Sequence, residues 1–187
     1  MKPIAWLLQK YQAMAWLVIG QRDVAGRVFE AMLQTNPNDT YALASRAQLA
    51  VQRGDKTAAL NDMKRLCELD GDSAHAWYNY GYLLHDCGNV GEAESVFKKA
   101  LELSPKLDMA WYGLSLVHIQ QKRFDDAVAT LKKNTELQPM SPYGWYHLAR
   151  VHVDRREPDE ARKVIAHLRG FEPKVADQLV RETGLVA

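Results

Sequence analysis

Two runs of apolar residues at helical spacing, parted by a short polar turn, recur along this chain with a period of 34 residues. A Trp-Tyr pair sets the phase: WYNYGYLLHDCG begins at Trp77, WYGLSLVHIQ at Trp111 and WYHLARVHVD at Trp145. With each tryptophan as the fourth residue of a unit, the units are 6–39, 40–73, 74–107, 108–141 and 142–175. The eighth position is then always small (Ala13, Ala47, Gly81, Ser115, Ala149), and the twentieth is always alanine (Ala25, Ala59, Ala93, Ala127, Ala161). The twenty-fourth is large and apolar: Phe29, Met63, Phe97, Leu131 and Ile165. Proline closes four units, at Pro37, Pro105, Pro139 and Pro173, with Gly71 in the other.

Each unit therefore predicts two antiparallel helices. Small residues at the eighth and twentieth positions let the axes approach toward the lower end of the ~8–10 Å range. The tryptophan and the large twenty-fourth residue fill the space on either side. Gly20, Gly54 and Gly88 suit a turn that needs left-handed backbone after the first helix. Proline cannot continue the second helix, so the unit stops there.

This grammar resembles the tetratricopeptide repeat (TPR), a 34-residue helix-turn-helix unit, and the resemblance covers essentially the whole chain in five repeats. The Trp, Pro and small-residue positions, without basic bias, separate it from a related helical repeat that reads RNA base by base. The resemblance implies one all-α domain over 1–187, a right-handed TPR superhelix (α-solenoid) closed by a C-terminal capping helix at about 174–184. There KVADQLVRETG places Val175, Leu179 and Val180 on one side before Gly184. Four residues depart from the pattern: Gln9 and Gln12 in the first repeat, Arg46 in the second and Asn134 in the fourth. The two glutamines fit a solvent-facing end; nothing in the sequence accounts for Arg46 or Asn134.

Composition changes this picture little. The chain is 47% hydrophobic and 25% charged, as folded proteins are, and its net charge of +1 gives no electrostatic reason to expect nucleic acid or an anionic membrane as partner. The N-terminal run from Met1-Lys2 to Gly20 is broken by Gln9, Lys10 and Gln12, which argues against a targeting signal, and no stretch is long enough to span a bilayer. Cys67 and Cys87 fit no metal or redox spacing and are expected to stay reduced. The expected address is the cytoplasm.

Helical neighbours recur at three and four residues, so the second, fifth, ninth and twelfth positions of each first helix share a side. The resemblance assigns that side to a concave groove. In the last three repeats it holds His75, Tyr78, Tyr82 and His85, then Met109, Tyr112, Leu116 and Ile119, then Tyr143, Tyr146, Arg150 and Val153. This aromatic and aliphatic strip suits a peptide ligand, because Tyr and His offer a flat apolar ring with a hydrogen-bonding tip. The tryptophans fall on the packing side and are expected in the core, with the adjacent tyrosines on the face. The family's best-known groove clamps a terminal carboxylate with lysines, asparagines and an arginine. Here the corresponding positions are Lys10, Met14, Ser45, His75 and Asn79, of which only Lys10 matches.

No enzyme motif is present: there is no phosphate loop, paired-Cys motif or nucleophile elbow. His75 and His85 are ten residues apart, roughly 15 Å along a helix, too far for one metal ion. His118 and His152 occupy the packed eleventh position and are expected to be hydrogen-bonded core residues. The resulting expectation is a non-catalytic adaptor or scaffold without cofactor or metal, binding an extended segment or helix of another protein. The alternative is a structural subunit or chaperone of an assembly, associating through repeat one. Leu7, Met14, Leu17 and Val18 there lie on the groove side, while Trp6, Tyr11, Ala13 and Trp16 are apolar on other sides. A helix apolar on most of its circumference is usually covered on most of it. A homodimer through repeat one or a partner helix laid along it would satisfy that.

Overall fold

The structure, a computed structural model, describes residues 3–185. Met1 and Lys2, which head the apolar N-terminal run, and the last two residues of the 1–187 domain lie outside the described residues. The described residues form eleven helices and no strand. They are α1 (Ile4–Val18), α2 (Arg22–Thr35), α3 (Thr40–Arg53), α4 (Lys56–Leu69), α5 (Ala74–Asp86), α6 (Val90–Leu103), α7 (Asp108–Gln120), α8 (Phe124–Leu137), α9 (Pro142–Asp154), α10 (Pro158–Arg169) and α11 (Pro173–Thr183). Each helix packs on the next, and first helices meet where α5 touches α7 and α9 touches α11. The result is an all-α solenoid of five helical pairs plus a closing helix.

The twentieth-position alanines are all fully buried, as are Ala13, Ala47, Ser115 and Ala149 at the eighth. Asp39, Asp55 and Ser73 cap α3, α4 and α5 by accepting from the backbone N–H three residues on, at 3.0, 3.0 and 3.3 Å. The turn after the first helix uses a left-handed residue in all five repeats, not only in the three with glycine. Lys122 (φ 58°) and Arg156 (φ 62°) hold the place that Gly20, Gly54 and Gly88 occupy at 76–81°. Packing of the helices on either side carries the cost of that conformation, about 1–2 kcal/mol for a residue with a side chain.

Two expectations need correction at the repeat ends. Pro173 does not terminate α10, which stops at Arg169; it opens the closing helix at its first turn, where a missing N–H costs nothing. The tryptophans pack against the core but are not enclosed by it. Trp77, Trp111 and Trp145 are half-buried, and their indole N–H groups donate to the carbonyls of Gly71, Pro105 and Pro139 at 2.8, 2.9 and 2.8 Å. Each ring therefore clasps the loop ending the previous repeat, and its polar edge has to stay near the surface to reach that carbonyl.

The largest fully buried side chain between repeats three and four is Phe97. A Cβ built on Gly81 would lie 2.9 Å from this ring, and one on Gly113 only 2.5 Å. The wedge thus requires a glycine on each of two first helices. A similar exchange of bulk explains Asn134. Its amide donates to the Asp108 carbonyl at 3.0 Å, and its oxygen would stand 2.2 Å from a Cβ at Gly144, where the earlier repeats have Ala42, Ala76 and Ala110. Arg46 is also accounted for: its guanidinium makes two 2.7 Å bonds to buried Asp62, a bidentate pair inside repeat two.

The two packed histidines differ. His152 pairs through Nδ1 with Glu157 at 2.7 Å, whereas neither ring nitrogen of buried His118 has a hydrogen-bond partner. The expectation that His118 is satisfied is therefore wrong, because Arg123 stands where repeat five has Glu157. Burial, helped by the Arg123 charge, pushes the His118 imidazole below its ordinary value, outweighing Glu94 3.7 Å away. Glu94 goes down instead, to about 2, held by Lys98 and then by Arg123. Two acid losses of stability follow. A histidine with a lowered folded pKa binds its proton more readily in the unfolded chain, so stability falls as pH drops below about 6.5. The Glu94 contribution is complete above about pH 4.5 and disappears as pH falls toward about 2. Urea midpoints from pH 8 to pH 3 should show both declines, the upper one flattened in His118→Gln and the lower in Glu94→Gln.

Candidate functional site

Side chains from the expected groove positions of α5, α7 and α9 converge. Tyr78, Met109, Tyr112 and Tyr143, with Asp108, Asn134 and Ser141, surround a depression of about 130 Å³. Three successive first helices contribute one aromatic ring each. Tyr78 is fixed from behind by Phe97, ring centroids 6.2 Å apart, and flanked by Tyr82 at 6.4 Å. Burial raises the phenol pKa of both Tyr78 and Tyr112, so both stay neutral donors at physiological pH.

Tyr143 is 68% exposed and stands between this depression and a second one of about 370 Å³. The second lies between α9 and α11 and is bounded by Pro142, Tyr143, Tyr146, His147, Val175 and Gln178. His147 was not among the expected groove residues, yet its ring lies 5.7 Å from Tyr112 and 5.4 Å from Tyr146. Burial pushes its pKa down and Arg150 adds to the effect, so it faces the site as a neutral imidazole. The sequence held one signal for it: an aromatic-sized residue next to the groove tyrosine Tyr146 and one helical turn from Tyr143.

The other expected groove residues are spread more widely. Tyr146 and Arg150 are engaged by the closing helix: Glu182 accepts from the Tyr146 hydroxyl at 2.7 Å and from the Arg150 guanidinium at 2.8 Å. Arg150 is thus part of a clasp across the end of the strip. His75 and Tyr82 are exposed, and His85 is half-buried in the last turn of α5; none of the three borders either depression. Leu116 and Val153 are half-buried, and Ile119 packs against the C-terminal core.

At the other end, Leu7, Met14, Leu17 and Val18 are 40, 43, 37 and 85% exposed. Lys10 lies 4.9 Å above the Tyr41 ring and 5.5 Å from Trp6, whose indole N–H donates to Asp39. Among the described residues no three His, Cys, Asp or Glu side chains group as a metal site, and no helix is long and apolar enough to cross a membrane. The arrangement offers flat apolar rings and neutral hydrogen-bonding tips. Such rings and tips are the chemistry of protein-contact surfaces in general.

Comparison with known proteins agrees. A family model, the middle TPR-like domain of Cilia and flagella-associated protein 70, matches residues 43–169. DnaJ homolog subfamily C member 3 of Rattus norvegicus is 36% identical over 85 residues, which is 46% of this chain but only 17% of that protein. The crystal structure of MamA superposes with a TM-score of 0.82 at 22% identity, covering 88% of this chain and 96% of that one. YrrB, described as a TPR protein with an unusual peptide-binding site, gives 0.79 at 13% identity over 90% of this chain and 88% of its own. At such identities the two structures speak for the fold.

Proposed function

The chain belongs to the tetratricopeptide-repeat family, and from that premise we propose that it is a non-catalytic adaptor whose first-helix face holds an extended segment of a partner protein. The observation that carries this reading is the convergence of Tyr78, Tyr112 and Tyr143 with Met109 around one depression, drawn from three successive helices. The peptide-binding site described for YrrB, a relative in fold, supports it.

Successive first helices ~8–10 Å apart and a strand advancing ~3.3 Å per residue set the ligand's register. Apolar side chains about three residues apart would meet successive tyrosines. Selection from a library of random twelve-residue peptides on the full chain should return that spacing. Tyr143→Glu should weaken a selected peptide by roughly tenfold or more without shifting the melting temperature, because this ring is mostly in water. Selected sequences without the spacing, or binding that ignores Tyr143→Glu, would point to another face.

A second reading has its own observation. Eight of the exposed large apolar side chains lie between Ile4 and Ile19, which favours a subunit or chaperone of an assembly working through repeat one. Both readings include a cytoplasmic address, supported by the two unbonded thiols, Cys67 buried and Cys87 half-buried.

A further inference from the structure

Later first helices show what α1 lacks. In them the third, sixth and tenth positions lie against the second helix of the preceding repeat: Gly144 against Asn134 and Thr135, Gly113 against Phe97, and Leu83 in a cluster with Ala59. In α1 the same positions are Leu8 (66% exposed), Tyr11 (63% exposed) and exposed Ala15. Its one fully packed residue, Ala13, faces its own partner helix α2. The stacking face of the first repeat is therefore built in apolar residues and left open.

We propose that a second copy of this chain covers that face, α1 lying antiparallel against its own mate about a two-fold axis at Tyr11. Three observations select this occupant. The exposed residues Ile4, Leu7, Tyr11, Met14 and Val18, which share Tyr11 with the stacking face and extend it toward the groove side, recur at alternating spacings of three and four, the seam of one helix paired with another. The seam carries no charge, so two copies meet without repulsion, and the antiparallel arrangement opposes their helix dipoles. The far end cannot serve as mate, because α11 turns Lys174, Asp177 and Arg181 to water, which closes off head-to-tail stacking. A self-complementary patch then gives a closed pair instead of a filament.

The area suffices. Taking about 200 Å² for a fully exposed side chain of this size, the five seam residues and Leu8 leave on the order of 700 Å² uncovered. That approaches the ~800 Å² each partner gives to a standard interface and exceeds the few hundred Å² that monomers usually expose.

Light scattering on the full chain over a hundredfold concentration range tests this. The mass should rise from 21.2 kDa toward twice that value and stop there. Tyr11→Glu, which sets two carboxylates face to face, should raise the dissociation constant roughly a hundredfold, and Leu8→Glu should act in the same direction. Tyr11→Cys should form a disulfide-linked pair under mild oxidation, while Tyr143→Glu, at the peptide face, should leave dimerisation unchanged. A constant 21.2 kDa would overturn the proposal, as would growth beyond two copies or a dimer that survives Tyr11→Glu. So would a monomer that co-sediments with phosphatidylglycerol vesicles, which would assign the face to lipid.

Discussion

Phe97→Ala is expected to lower stability by about 3–5 kcal/mol, the loss of a large side chain from a site with no room to collapse. The ring is fully buried and wedged between two glycines of neighbouring first helices. Gly113→Ala attacks the same contact from the other side. Its added methyl meets the ring tip at 2.5 Å, and the strain should cost about 1–3 kcal/mol. The double variant gives the sharper result, because alanine at 97 vacates the space that the Gly113→Ala methyl needs. Its loss should be clearly smaller than the sum of the two single losses, by about 1 kcal/mol or more. Urea unfolding of the three variants measures this, and simple additivity would show that ring and glycine do not share one contact.

Trp111→Ala should be the next most damaging change, at about 2–4 kcal/mol, and its cost should divide in two. Trp111→Phe keeps most of the ring and removes only the N–H that reaches the Pro105 carbonyl, so it should lose about 1 kcal/mol. Tyr112→Ala should cost less than Trp111→Ala, but not nothing, because its ring is half-buried and rests 5.7 Å from His147. If Trp111→Phe were as costly as Trp111→Ala, the six-membered ring would contribute nothing, and the loop clasp would carry the whole effect.

Those two tryptophan contributions show where sequence reading stopped. Helix pairs and the buried alanines follow from a period of 34, because the small positions meet the same kind of neighbour in every repeat. Periodicity places Trp111 on the packing side of its helix; it does not say that the nearest acceptor belongs to the loop before it. Likewise, glycine marked the left-handed turn in three repeats, whereas Lys122 and Arg156 adopt it under tertiary packing that no local signal encodes.

The candidate site was legible to a similar extent. Tyr78, Met109, Tyr112 and Tyr143 share a face by helical geometry, and the structure places them around one depression. Arg150 shares that face by the same rule. It is nevertheless taken up by Glu182, 32 residues downstream, a pairing that depends on how α11 closes the array. Arg46 and His118 make the complementary point. Each was anomalous against the repeat pattern or its expected chemistry, and each is explained only by a residue outside its own helix: Asp62 on α4 for one, Arg123 in the turn before α8 for the other.

The traded bulk at Phe97–Gly113 and Asn134–Gly144 bears on whether the repeats are interchangeable modules. Similar backbones suggest that they are, yet these two junctions each carry their own key. Were repeat five moved up to follow repeat three, His147 would fall where Gly113 now admits the Phe97 ring. The order of the modules is therefore written into their contacts. A nascent chain whose helices are locally alike has a penalty against docking out of sequence, and a permuted array would have to be re-cut at each joint before it could close.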